Sequence, residues 1–122
     1  MKAARTGVMR IFDAAGHSAR GIRACWNNEA AFRQDVMLSV ALFGLSFFLA
    51  NSAEQWLLLV IPLVLILIVE LLNSAVENTV DRIGEERHVL SGRAKDMGSA
   101  AVLFCHVVIV LSWSAIAWTN LS

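Results

Sequence analysis

Glu70, Asn73, Glu77 and Asp81 recur at steps of three and four in the stretch VELLNSAVENTVDR, residues 69–82. On a helix of 3.6-residue repeat, Asn73 falls about 60° behind Glu70, Glu77 about 20° behind it and Asp81 about 20° ahead, so all four share one face. Glu70 and Glu77 then stand about 10 Å apart along the axis. The stretch continues an apolar run, WLLLVIPLVLILIV at 56–69, so the polar stripe leads from a hydrocarbon layer out toward water. A carboxylate at the centre of a bilayer costs roughly 2.5–3.5 kcal/mol, and acids kept there usually have a function. A purely assembling Glu70 would need a base beside it, and no Lys or Arg stands at matching depth. Two chemistries suit several carboxylates and an amide on one face. One is proton relay. The other is Mg²⁺ binding, which uses oxygen ligands, commonly one or two carboxylates with substrate phosphates. The stretch SGRAKDMGS (91–99) supplies a complement: Arg93 and Lys95 for phosphates, Asp96 for a base or ribose, and Ser99 as a further donor. Glu29 enters at the same interface from the first apolar helix.

The elements that must carry these groups are membrane helices. The chain is 57% hydrophobic over 122 residues, too apolar for an ordinary soluble domain. The first long apolar run starts only at Val36, so no signal peptide is read and the chain is expected to be kept at full length. Residues 8–26 set Val8, Phe12, Ala15, Ala19, Ile22 and Trp26 on one helical stripe, with Arg10, Arg20 and Arg23 alongside. That is a basic amphipathic helix suited to an anionic membrane surface. Asn28 is the expected N-cap of the next helix, with Glu29 in its first turn. The apolar part of that helix (36–50) is short of a full span, and AAF with a snorkelling Arg33 makes up the length. A polar turn, NSAEQ (51–55), precedes the second span, where Pro62 is tolerated. Residues 82–95 read as a polar loop broken at Gly84 and Gly92. The third run covers 97–118, with Gly98, Ser99, Ala100 and Ala101 allowing close helix approach.

The architecture expected is all-α: one membrane domain over 1–122, with a surface helix at 1–27 and membrane helices at about 29–50, 55–81 and 95–119. Six Lys or Arg precede the first span and four lie between the second and third, while the 51–55 turn and the 119–122 tail have none. The positive-inside rule puts the N-terminus in the cytoplasm and the C-terminus across the membrane. Trp56, Trp113 and Trp118 then sit near the far interface. The formal net charge of +0 gives no ground for a nucleic-acid partner. Cys25 and Cys105 fit no zinc spacing and read as small apolar residues, unpaired. GHSARGIR (16–23) has the glycine spacing of a phosphate loop, but Ile-Arg replaces Lys-Ser/Thr and no strand precedes it, so the match is chance.

NEAAFRQD (28–35), VELLNSAVENTVDRIG (69–84) and LSGRAKDMGSAAVL (90–103) closely resemble the small integral-membrane diacylglycerol kinases of Gram-negative bacteria, and the likeness runs from about Arg10 to Trp118. The resemblance implies a homotrimer in the bacterial inner membrane, with sites between protomers at the cytoplasmic surface. It implies transfer of the γ-phosphoryl group of MgATP to diacylglycerol, giving phosphatidic acid. Carried over by position, Glu70 is the general base, and Glu29 and Glu77 are the Mg²⁺ ligands. Lys95 binds ATP phosphates and Asp96 the nucleoside end, with Glu86, Arg87 and His88 against the nucleotide and Arg10 and His17 reaching in from the surface helix. Asn73 and Ser99 position lipid and base; Ala15 and Arg33, with Arg10, join the lipid contacts. The family carries an aromatic at positions 17, 19 and 87, where this chain has His, Ala and Arg. His106, within the third span, is read as a hydrogen-bonding group inside the bundle. The rival readings are an undecaprenol kinase of the same fold, a proton-coupled transporter subunit and a structural membrane subunit. The transporter reading does not explain why Glu29, Glu77, Lys95 and Asp96 gather at the cytoplasmic edge, and the structural reading requires that Glu70→Gln change nothing.

Overall fold

The computed structural model describes residues 6–84 and 88–122. They form four helices: α1 Gly7–Asn28, α2 Ala30–Leu49, α3 Ala53–Ile83 and α4 Val89–Leu121. No strand occurs among the described residues. Helices α2, α3 and α4, of 20, 31 and 33 residues, are each long and apolar enough to cross a membrane. The expected all-α architecture of a surface helix and three spans is therefore present.

Two boundaries differ from the sequence reading. Asn28 does not cap α2; it is the last residue of α1, and its Nδ2 turns back to donate to the Ala24 carbonyl at 2.8 Å. Glu29 takes the joint, with extended backbone and no side-chain cap bond. Arg33 Nη1 donates to the Trp26 carbonyl at 2.6 Å, satisfying an acceptor that the end of α1 leaves without an intrahelical partner. At the other boundary, α4 starts at Val89 rather than at 95, and Gly92 lies inside it. A single glycine weakens a helix by about 1 kcal/mol, too little to stop one this long. His88 caps α4, its Nδ1 accepting from the Leu90 N–H at 3.1 Å. Gly84 does end α3.

The helices hold together as helices in lipid must, by close packing and polar contacts. Leu63 and Ile66 of α3 pack on Cys105 and Ile109 of α4 along the longest seam of the bundle. Pro62 stays inside α3, as expected. It has no N–H for the Leu58 carbonyl. Beside that gap the Trp113 indole donates to the Leu59 carbonyl at 3.0 Å. Ser39 Oγ on α2 donates to the Leu63 carbonyl at 3.5 Å. Cys25 and Cys105 are both free and buried, as the sequence reading had them. On α1 only Cys25 is buried; Val8, Ile11, Phe12, Ile22 and Trp26 all remain exposed on the chain. The apolar stripe of α1 is thus turned away from the bundle, as a membrane-surface helix requires.

At the far end, Asn120 of α4 ties all three spans. Its Nδ2 donates to the Leu49 carbonyl and to Gln55 Oε1, both at 2.8 Å. Ser52 completes the corner by accepting from the Gln55 N–H at 3.1 Å. Asn120→Ala removes both donations. We expect a loss of about 1 kcal/mol, read as a lower thermal midpoint in detergent, with catalytic properties at the opposite end unchanged.

Candidate functional site

The acidic stripe of α3 forms as its spacing requires. Glu70 is buried, at 3% exposure, and Asn73 and Glu77 are half-buried one and two turns on. Asn73 Nδ2 donates to Glu77 Oε1 at a long 3.5 Å. Asp81 is exposed and bridges Lys95 of α4 at 2.7 Å. An exposed pair of this kind adds little stability, typically 0–1 kcal/mol. Its consequence is positional: it holds the Lys95 charge at the open end of the stripe.

Glu70 has company that the sequence reading missed. The Asp35 carboxyl of α2 is close enough to act on it electrostatically. Asp35 is itself 7% exposed. On its other side Asp35 Oδ1 meets His106 Nε2 of α4 at 3.0 Å. The hydrogen bond expected for His106 inside the bundle is therefore present, and its partner is an acid beside Glu70. A signal for it existed: Asp35 and His106 are each polar groups at the depth of an apolar run, and two such groups on different helices seek each other.

Asn73 faces α4 at Gly98. A Cβ built on Gly98 would fall on Asn73 Oδ1, so only glycine lets the amide lie against that helix. Asn73 Oδ1 is buried and accepts no hydrogen bond from the protein. It is a buried acceptor left without a protein donor. Of the four small residues expected to bring α4 close, Gly98 alone does so within one chain; Ser99, Ala100 and Ala101 are exposed.

The other expected site residues are distributed around this core. Glu29, at the α1–α2 joint, lines a cavity of about 300 Å³ with Cys25, Asn28, Leu71, Ser74 and Asn78. Cys25 Sγ donates to Ser74 Oγ at 3.4 Å across its wall. Burial pushes the Cys25 thiol up, against the effect of that hydrogen bond, so it stays a neutral packing group. Glu77 is not among the residues that line this cavity. Among the described residues no group of three or more His, Cys, Asp or Glu is gathered tightly enough to hold a cation alone. Arg10, Ala15 and His17 are exposed on α1, at least two turns before Cys25. His17 Nδ1 lies 2.7 Å from an Arg20 guanidinium nitrogen, which donates to it. His88 and Asp96 are exposed at the charged end. Glu86 and Arg87 lie outside the described residues.

Comparison with known proteins places this geometry. The family model described as prokaryotic diacylglycerol kinase matches residues 16–117. The chain is 50% identical over 115 residues to the diacylglycerol kinase of Escherichia coli strain K12, covering 94% of each chain. It is 49% identical over 112 residues to the diacylglycerol kinase of Pseudomonas aeruginosa, covering 92% of this chain and 91% of that one. With the Haemophilus influenzae diacylglycerol kinase it shares 41% over 111 residues, 91% of this chain and 94% of that one.

The Asn73–Gly98 contact can be tested directly. Gly98→Ala forces Asn73 off α4 or α4 off α3. We expect an overpacking cost of about 1–3 kcal/mol, read as a lower thermal midpoint. In an Asn73→Ala background the same change should cost little, which a double-mutant cycle measures.

Proposed function

The chain belongs to the prokaryotic diacylglycerol kinase family, and on that premise we propose that it transfers the γ-phosphoryl group of ATP to the hydroxyl of diacylglycerol, giving phosphatidic acid. One observation carries the reading onto this chain's own residues. A buried carboxyl, Glu70, heads a stripe of Asn73 and Glu77 that opens beside a fixed Lys95. Phosphoryl transfer asks mainly for positioning and charge neutralisation, and such a stripe provides both.

In this reading Glu70 is the general base. It takes the proton of the lipid hydroxyl as the oxygen attacks the γ-phosphorus and the bond to the β-phosphate bridge oxygen breaks, leaving ADP. Its burial suits an acceptor whose hydroxyl sits at the headgroup boundary and arrives sideways from the bilayer. The amide of Asn73 turns toward the lipid oxygen or the base. Lys95 carries ATP phosphates, exchanging Asp81 for them, and Asp96 and His88 meet the nucleoside end, with Glu86 and Arg87 from the connecting segment. Arg10, Ala15 and His17 approach from α1, where an Arg20–His17 pair stands in place of an aromatic contact. Arg10, Ala15, Arg33 and Ser99 complete the lipid contacts.

Mg²⁺ fits the oxygens available. Glu77 and Glu29 are carboxylate ligands, and the unpartnered Asn73 Oδ1 is a third oxygen on the stripe. Mg²⁺ is ordinarily held by one or two carboxylates with substrate phosphates, so a closed protein cage is not needed. Bound with the nucleotide, the ion would supply positive charge against the negative charge developing on the phosphates. Glu77 does not line the cavity that Glu29 lines, so in this reading a site using both draws one of them from a second copy. That supports a homotrimer with sites between protomers. The multi-pass membrane protein is oriented, by its Lys and Arg distribution, with the N-terminus in the cytoplasm and the C-terminus in the periplasm.

In mixed micelles with diacylglycerol and MgATP labelled at the γ-phosphate, the protein should form labelled phosphatidic acid, and undecaprenol should be a poor acceptor. Glu70→Gln should lower kcat by about 10²–10⁴-fold with ATP binding retained. Glu77→Gln should instead raise the Mg²⁺ concentration needed for half-maximal rate. Equal phosphorylation of undecaprenol would assign the lipid differently, and near-normal turnover in Glu70→Gln would remove the base.

A further inference from the structure

We propose that His106 is a positioning residue for Glu70, acting through Asp35. The inference rests on the reading of Glu70 as the base. Asp35, Glu70 and His106 come from α2, α3 and α4, and they meet at one level of the bundle. Asp35 and Glu70 are 7% and 3% exposed. Two buried carboxyls close enough to act on each other away from water repel or must share donors. His106 is the donor that the third helix brings. Its Nε2–H meets Asp35 Oδ1 at 3.0 Å, so that oxygen is occupied and the carboxyl is fixed in rotation. The orientation of Asp35 then decides how the Glu70 carboxyl lies.

Packing does not account for the histidine. Cys105 and Ile109 already supply α4's share of the apolar seam with Leu63 and Ile66. The His106 side chain sits off that seam and is 41% exposed, against 10% for the side chain of Asp35. Only its Nε2 edge reaches inward. Between α2 and α4 the described residues make one other side-chain hydrogen bond, Asn120 to the Leu49 carbonyl at the far end. His106 therefore sets the α2–α4 relation at the level of the base. Apolar residues of similar volume in place of both His106 and Asp35 would assemble the bundle as well or better, because a buried polar pair is often neutral or costly to stability. Its persistence here is explained by what it holds.

The test uses the full-length protein in mixed micelles, with kcat and KM measured for ATP and diacylglycerol, and thermal midpoints measured alongside. Glu70→Gln is the reference. His106→Leu should lower kcat about 10- to 100-fold while both KM values stay within about twofold. His106→Gln, which keeps an N–H donor where Nε2 stands, should restore most of kcat. In an Asp35→Leu background, which removes the acceptor, His106→Leu should cost nothing further. Wild-type kcat in His106→Leu, with Glu70→Gln inactive, overturns this inference and leaves the base reading intact. Equal loss in His106→Leu and His106→Gln, or a fall in thermal midpoint with kcat and KM moving together, assigns the pair to packing and also overturns it. Turnover retained in Glu70→Gln removes the base reading and this inference with it.

Discussion

A carboxyl group at the edge of a hydrocarbon layer must be given polar neighbours by the protein, because the lipid offers none. Glu70 imposes that demand on this bundle. Every span answers it. Helix α3 carries the acid and the stripe that leads outward from it, α2 sets Asp35 against it, and α4 supplies His106 behind Asp35. The same helix α4 gives up a side chain at Gly98 so that Asn73 can lie close. Remove Glu70 and the polar residues at this level lose their reason to be there.

The rest of the bundle frees that level for chemistry. Apolar interlocking of Leu63, Ile66, Cys105 and Ile109 and the Trp113 bond to Leu59 hold α3 to α4 below it. The Asn120 contacts close the far end. At the charged end the structure is open: Lys95, Asp96 and His88 are exposed, and Glu29 sits at a joint between two helices. Rigid packing on one side and accessible charge on the other suit a site that takes a soluble nucleotide and a lipid from different directions. The exposed apolar stripe of α1 has the pattern of a helix at a membrane surface.

Much of this was legible in the sequence, for physical reasons that are particular to each element. The stripe could be read because helical phase fixes which of residues 70, 73, 77 and 81 share a face, whatever the fold around them. The three spans could be read because a bilayer sets a length that Leu- and Val-rich runs either meet or do not. The start of α4 was misread because Gly84 and Gly92 look alike as breakers, while only the first stands at a helix end. Asp35 went unnoticed because a single acid in the first turns of a span looks like an interface charge. Its depth and its two partners are properties of three helices packed together, and no one helix carries them. The identity of the reaction came from long motifs held in common with a family, since an acidic face in a membrane is compatible with more than one chemistry.

The central claim is that Glu70 sits where lipid and nucleotide meet. An apolar carbodiimide, which reaches carboxyls from the bilayer, tests this most directly when its labelling site is mapped by mass spectrometry. The account predicts labelling at position 70 with matching loss of turnover, and protection of that carboxyl when diacylglycerol and a non-hydrolysable MgATP analogue are present together. Labelling of Glu70 that proceeds at the same rate with both ligands bound, or that leaves turnover intact, would contradict it.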